Sequence, residues 1–211
     1  MRILCAAIGA AFLGLAGCAS AQTADVTGTA TTLGDLQNGG YVLVMRHASS
    51  PHNQTGATGL SEGCKLEAGR GLDAKGFVQA REIGAFLREN NIPVLKAYTS
   101  PMCRSWDTAM LAAAGAEVIA NPSQITTNQT AIAAFKKEIE AELAANPGQN
   151  IILSNHSNIA PLYGAIVRGD EEDIPEGVVS IVTAPGWNGI DGAILRITAE
   201  VGFEAKTVTL E

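Results

Sequence analysis

The stretch Tyr41-Val42-Leu43-Val44-Met45-Arg46-His47 sets five apolar residues in a row directly before an arginine and a histidine. A short, uninterrupted apolar run of this kind predicts a strand that is buried on both faces, as in a parallel sheet covered by helices. Similar runs recur along the chain and alternate with helical patterns. The sequence therefore predicts an α/β fold, a three-layer αβα sandwich around a mostly parallel central sheet.

The other elements follow from apolar spacing and from the residues that end helices. Further strands are predicted at 94–99, 116–120, 150–153, 178–183, 193–198 and 203–210, and the last two should form a C-terminal β-hairpin. Helices are predicted at 73–90, 104–114, 129–145 and 158–167. The helix over 129–145 has apolar residues at spacings of three and four, and Asn146-Pro147-Gly148 ends it.

Basic side chains follow three of these predicted strands. Arg46 and His47 come directly after the first strand, Arg104 opens the helix after the second, and His156 follows the strand at 150–153. The carboxyl ends of parallel strands form one edge of a sheet, and helix N-termini there favour an anion. Taken singly, each residue has an ordinary structural explanation. Together they predict a phosphate-binding pocket, since guanidinium groups match phosphate oxygens bidentately.

Composition limits the kinds of partner. The chain has 211 residues, enough for one domain, and a formal net charge of −7, with no cluster of Lys and Arg. This balance argues against nucleic acid or an anionic membrane surface as the main partner. Three histidines and no CxxC motif make a zinc site improbable, and no metal or other cofactor is expected.

The N-terminus is typical of export. Residues 1–17 contain one basic residue and then an apolar run shorter than a membrane-spanning helix needs. The segment Leu15-Ala16-Gly17-Cys18 resembles the bacterial lipobox, which implies a signal peptide over 1–17, lipidation of Cys18, a tether over 18–39 and a domain over 40–211. An ordinary secretory signal cleaved after Ala19 or Ala21 is the alternative. We expect a chain facing the periplasm from the outer membrane, held there only by its lipid.

Two cysteines remain once the leader is removed and Cys18 is lipidated. Cys64 and Cys103 form an even pair in an oxidising compartment, where a disulfide is the default expectation. The alternative is two separate buried thiols.

Four motifs in order resemble the histidine phosphatase superfamily, whose fold is phosphoglycerate-mutase-like. The resemblance covers roughly residues 40–170. Residues 44–48 (VMRHA) resemble the family's RHG signature with Ala for Gly, and residues 71–80 (GLDAKGFVQA) resemble the segment that opens the first helix. Residues 100–109 (SPMCRSWDTA) resemble the second arginine motif, and residues 155–157 (NHS) stand where Gly-His is usual.

The resemblance implies a set of roles. His47 would be the nucleophile that forms a phosphohistidine, and Arg46, Arg104 and His156 would bind the phosphoryl oxygens. Asn53 falls where many members have a pocket asparagine. The paired cysteines resemble a set found in small secreted members. The implied activity is that of a metal-independent acid-phosphatase-type hydrolase acting on a small phosphorylated substrate or a phosphoprotein.

The chain departs from the family in its general acid. One branch has an acidic residue in the region that corresponds to 123–135, and the other has Asp where this chain has Ser157; neither is present here. His52, Asp107 and Glu117 are candidates, although a surface or capping role is expected for each. Without an acid, phosphoramidates and other phosphates with good leaving groups would be favoured. The alternative function is a degenerate lipoprotein that binds a phosphate ligand without turnover.

Overall fold

The computed structural model describes residues 33–52, 70–167, 172–198 and 207–210. The helices in these ranges are α1 (Leu33–Asn38), α2 (Ala74–Glu89), α3 (Cys103–Ala112) and α4 (Gln129–Ala145), with 3₁₀ turns at Pro122–Gln124 and Ala160–Tyr163. The strands are β1 (Tyr41–Arg46), β2 (Val94–Thr99), β3 (Glu117–Ala120), β4 (Asn150–Asn155), β5 (Val179–Thr183), β6 (Gly189–Thr198) and β7 (Thr207–Leu210).

The seven strands form one sheet in the order β3-β2-β4-β1-β5-β6-β7. The strands β3, β2, β4 and β1 are parallel to one another, whereas antiparallel ladders join β1 to β5, β5 to β6 and β6 to β7. The predicted α/β fold is confirmed, and its parallel part is the set of strands that carries the predicted site. The predicted pairing of the last two strands is also present, between β6 and β7.

Helices cover both faces of the sheet, because β1 is apolar on both sides. Leu43 and Met45 pack with α1, α2 and α3 on one face, while Val42 and Val44 pack with α4 on the other. All four of these side chains are buried. The continuous apolar run in the sequence therefore corresponds to a strand between two cores, which gives the predicted three layers.

Two local predictions differ from the structure. The helix predicted over 158–167 is only the 3₁₀ turn Ala160–Tyr163, because Pro161 limits it and Gly164 follows with a φ of 89°. Residues 33–38, placed by the sequence in the tether, form α1, and Leu36 is fully buried in the core. This helix packs with the domain.

The N-terminal predictions concern residues 1–32, which lie outside the described residues and include Cys18. Among the described helices, none is both long and apolar enough to cross a membrane.

Candidate active site

The site lies at the carboxyl ends of β1, β2 and β4. Hydrogen bonds continue the parallel ladders past the strand ends: the His47 amide donates to the Asn155 carbonyl at 2.9 Å, and the Ser100 amide donates to the Ser154 carbonyl at 2.9 Å. His47 and His156 are thereby placed side by side. They line a cavity of about 350 Å³ together with Arg46, His52, Arg70 and Arg104, among others.

His47 is held in a single orientation at the base of this cavity, with only 3% of the residue exposed. Its Nδ1 lies 2.9 Å from the Ala48 carbonyl oxygen, and its Nε2 lies 3.0 Å from Nε of Arg104. A carbonyl can only accept and a guanidinium can only donate. Nδ1 therefore carries the proton, and Nε2 presents its lone pair beside Arg104.

Arg104 also contacts the second histidine. Its Nη2 lies 3.3 Å from Nδ1 of His156, whose Nε2 lies 2.9 Å from Oγ of Ser100. By the same argument, His156 accepts from the arginine through Nδ1 and donates through Nε2. Arg104, the second residue of α3, thus bridges the two imidazoles across the cavity.

Burial keeps both imidazoles uncharged. It lowers the pKa of His47 to about 2, and the positive charges of Arg104 and Arg46 act in the same direction, against the hydrogen bond to Ala48. Burial likewise lowers the pKa of His156 to about 3, with further lowering by the same arginines. At neutral pH, Nε2 of His47 is therefore available as a nucleophile.

Arg46 is anchored by the loop that precedes β5. Its Nη1 donates to the Ile174 carbonyl at 2.7 Å and lies 3.4 Å from Oδ2 of Asp173. Its Nε is buried and has no hydrogen-bond partner among the described residues. One donor of this guanidinium is thus unsatisfied in a site that favours anions.

Arg70 adds a third guanidinium that the sequence analysis did not assign to the site. Its Nε and Nη2 donate to Oγ of Ser50 at 3.0 and 2.7 Å. Ser50 is the third residue after His47, where one branch of the family resembled here has an arginine. The positive charge at this place comes from Arg70, two residues before Leu72 of the motif that opens α2.

Glu176, also missed, lies among these basic groups. Its carboxylate is 3.5 Å from Nη2 of Arg70, 3.8 Å from Nη2 of Arg46, 3.5 Å from Nε2 of His52 and 3.7 Å from Nδ1 of His47. No motif singles out this residue, because it precedes β5 in an irregular loop. Its position beside the cavity depends on the pairing of β5 with β1.

The other predicted residues are placed as follows. Asp107 lies on α3, and burial raises its pKa; Glu117 is exposed at the amino end of β3, at the opposite edge of the sheet from the cavity. Neither is among the residues that line the cavity. Asn53 and Cys64 lie outside the described residues. Cys103 begins α3 and is half-buried. Because its predicted partner, Cys64, lies outside the described residues, the disulfide stays a prediction.

Comparison with known proteins agrees with this geometry. The family model of the histidine phosphatase superfamily (branch 1) matches residues 42–128. No curated protein matches the chain by sequence. The matched range includes the Arg46-His47 pair and the second arginine motif.

Solved structures share the fold. The protein assigned as phosphohistidine phosphatase SixA from Nakamurella multipartitia superposes with a TM-score of 0.51 at 17% identity, covering 75% of this chain and 96% of that one. The protein histidine phosphatase SixA in complex with tungstate superposes with a TM-score of 0.50 at 17% identity, covering 71% and 92%. Residues 42–128 are thus similar to the histidine phosphatase superfamily, and the solved structures share the fold of this chain.

Proposed function

We propose that this protein is a metal-independent phosphatase that hydrolyses a phosphomonoester or a phosphoramidate through a phosphohistidine on His47. The observation that carries the proposal is the unprotonated Nε2 of His47, buried at the base of a cavity lined by three arginines. Histidine is a competent covalent nucleophile, and a neutral imidazole needs no base to activate it.

The reaction has two steps. In the first, the lone pair of His47 Nε2 forms a bond to phosphorus, the bond from phosphorus to the leaving group breaks, and the leaving group departs with the electron pair of that bond. In the second, water attacks phosphorus, the P–N bond breaks, and inorganic phosphate leaves. Phosphoryl transfer depends chiefly on alignment and on charge stabilisation, which the surrounding arginines supply.

The local contacts suit both steps. When Nε2 bonds to phosphorus, the imidazole becomes cationic, and the Ala48 carbonyl at 2.9 Å from Nδ1 stabilises that charge. Arg104 reaches both imidazoles, so its donors can turn to a phosphoryl oxygen lying between them. Guanidinium groups can thereby supply the positive charge that a metal ion supplies in other phosphatases.

The assay uses the purified chain with 4-nitrophenyl phosphate and phosphoramidate between about pH 5 and 8. His47→Ala should lower turnover by at least about 10³-fold, as for other covalent nucleophiles. Glu117→Gln, at the far edge of the sheet, is the matched control and should keep full activity. EDTA should not inhibit, whereas orthovanadate should.

Near wild-type activity in His47→Ala, with an unchanged melting temperature, would remove the nucleophile assignment. A wild type that binds phosphate but turns over neither compound would instead favour a lipoprotein that only binds a phosphate ligand.

We further propose that the chain works at the periplasmic side of the outer membrane, anchored through a lipid on Cys18. The support is the lipobox-like segment Leu15-Ala16-Gly17-Cys18 after a short apolar run. The variant Cys18→Ala, which lacks the thiol, tests the anchor by membrane fractionation. The substrate would then be a small phosphorylated compound or a phosphoprotein of the envelope.

A further inference from the structure

The proposed reaction needs a donor for the proton that the leaving group takes up. When the bond from phosphorus to an ester oxygen breaks, that oxygen needs a proton unless it is already a good leaving group. A positioned acid contributes about 10²–10⁴-fold to such a step. The segment 123–135 contains no Asp or Glu, and residue 157 is serine. Asp107 and Glu117 do not line the cavity.

Among the described residues that line the cavity, His52 is the titratable side chain other than the two buried imidazoles and the three arginines. Its side chain is 69% exposed, in contrast to the buried His47 and His156. Exposure lets its ring turn toward a bound substrate and exchange protons with solvent. Histidine is the side chain whose ordinary pKa lies nearest to neutrality, which suits it to proton transfer.

Glu176 orients this imidazole. Oε2 of Glu176 lies 3.5 Å from Nε2 of His52, and Nη2 of Arg70 lies 3.5 Å from its Nδ1. A carboxylate accepts, so Nε2 carries a proton toward Glu176. In the imidazolium, the second ring proton is on Nδ1, and it can pass to a bound substrate once the exposed ring turns away from Arg70. Glu176 itself is fixed, because its side chain is 14% exposed and Oγ of Ser50 lies 3.1 Å from its Oε1.

We infer that His52, oriented by Glu176, is the proton donor to the leaving group, so that the site accepts alkyl phosphomonoesters. The inference rests on the proposed function. As Nε2 of His47 bonds to phosphorus, the P–O bond breaks and the ester oxygen takes a proton from the His52 imidazolium. In the second step the neutral His52 takes a proton from the attacking water, which restores the starting state.

The test compares leaving groups in the full-length chain purified in detergent. The substrates are 4-nitrophenyl phosphate, whose leaving group needs no proton, and glycerol phosphate, whose alkoxide needs one. His52→Gln should lower kcat/KM for glycerol phosphate by about 10²-fold or more, and for 4-nitrophenyl phosphate by less than about 3-fold. Asp107→Asn, on α3 and away from the cavity, is the matched control and should change neither rate.

Glu176→Gln tests the positioning role. It should lower the glycerol phosphate rate more than the nitrophenyl rate, and adding it to His52→Gln should cost little more, because the two residues act through one proton. A merely structural role of Glu176 would lower both rates equally.

Equal losses on both substrates in His52→Gln, or no loss on either, would overturn the inference. So would a wild type that hydrolyses 4-nitrophenyl phosphate but not glycerol phosphate, which would leave the proposed phosphatase in place. Inactivity of the wild type on both esters, or full activity of His47→Ala, would instead overturn the phosphatase and the inference with it.

Discussion

At the scale of single residues, the two buried imidazoles couple folding to pH. Both are held neutral in the folded chain, with the pKa of His47 lowered to about 2 and that of His156 to about 3. In the unfolded chain each would titrate near the ordinary value of about 6.5. Below that pH the unfolded state binds more protons than the folded state, so stability falls as pH falls.

We therefore expect the free energy of unfolding to decrease from about pH 6.5 toward pH 4 in the absence of phosphate. The limiting slope is about 1.4 kcal/mol per pH unit for each histidine. Urea unfolding at a series of pH values measures it. His47→Asn and His156→Asn each remove one titrating group, and each should flatten the curve between pH 6 and 5. Curves parallel to that of the wild type would contradict the assignment, whatever the absolute stability of the variants.

How much of the site could be predicted depends on where each residue lies in the chain. Arg46 ends β1, and His47 and His156 directly follow β1 and β4, so strand prediction places all three at one edge of the sheet. Arg70 lines the same cavity and Glu176 lies beside Arg70, both from irregular segments. Apolar periodicity says nothing about such segments, and their positions follow only from tertiary packing.

At the scale of elements, the first turn of α2 supports the loop that carries the nucleophile. Asp73 caps the helix by accepting from the Gly76 amide at 2.7 Å, and its other oxygen accepts from Oγ of Ser49 at 2.8 Å. Gln79, one turn further, accepts from the Ser49 amide at 2.9 Å. Ser49 is two residues after His47, so α2 fixes the loop that positions the nucleophile.

Gly76 is required for this close approach. A Cβ at this position would clash with the backbone carbonyl of Ser49, whereas a Cβ at Gly71 would lie 3.6 Å from Oδ2 of Asp107, in ordinary contact. Within a helix, Gly→Ala normally stabilises by up to about 1 kcal/mol. We expect Gly76→Ala to act in the opposite direction, destabilising by about 1–3 kcal/mol through overpacking and lowering kcat/KM.

Thermal melting and the 4-nitrophenyl phosphate assay measure both effects. Gly71→Ala is the matched control and should leave stability and activity near the wild-type values. A stabilised and fully active Gly76→Ala would show that the loop adapts without cost.

Element prediction succeeded where the chain has strong local signals. The helix α4 has apolar residues at helical spacing and Asn128 at its N-cap, and α2 has Asp73 at its N-cap. These signals are local, and both helices form as predicted. The segment after His156 has apolar residues at helical spacing, yet Gly164 turns the chain after four residues. There the backbone of Trp187 lies so close that a Cβ on Gly164 would clash with it. Gly164 itself is visible in the sequence, but the contact with Trp187 forms only in the folded chain.

At the scale of the whole molecule, the two parts of the sheet have different tasks. The parallel strands bring His47, Arg104 and His156 to one edge. The antiparallel strand β5, paired with β1, brings the preceding loop over the same edge, where the Gly177 amide donates to the His47 carbonyl at 3.1 Å. The basic residues of the cavity and Glu176 therefore come from distant parts of the sequence, which is why the strand positions predicted the former and did not single out Glu176.

The last prediction concerns how the whole chain meets the membrane. A net charge of −7 disfavours attraction to anionic lipid headgroups, so attachment would depend on hydrophobic insertion of acyl chains. In bacteria expressing the full chain, the wild type should fractionate with membranes, resist release by high salt and incorporate labelled palmitate. Cys18→Ala should lose the label and be released from the membranes. Cys5→Ala, within the predicted signal peptide, is the matched control and should keep both properties. Unchanged membrane fractionation of Cys18→Ala, or absence of label in the wild type, would show that the lipobox-like segment is not used. A wild type that is both unlabelled and released from the membranes would favour an ordinary cleaved leader.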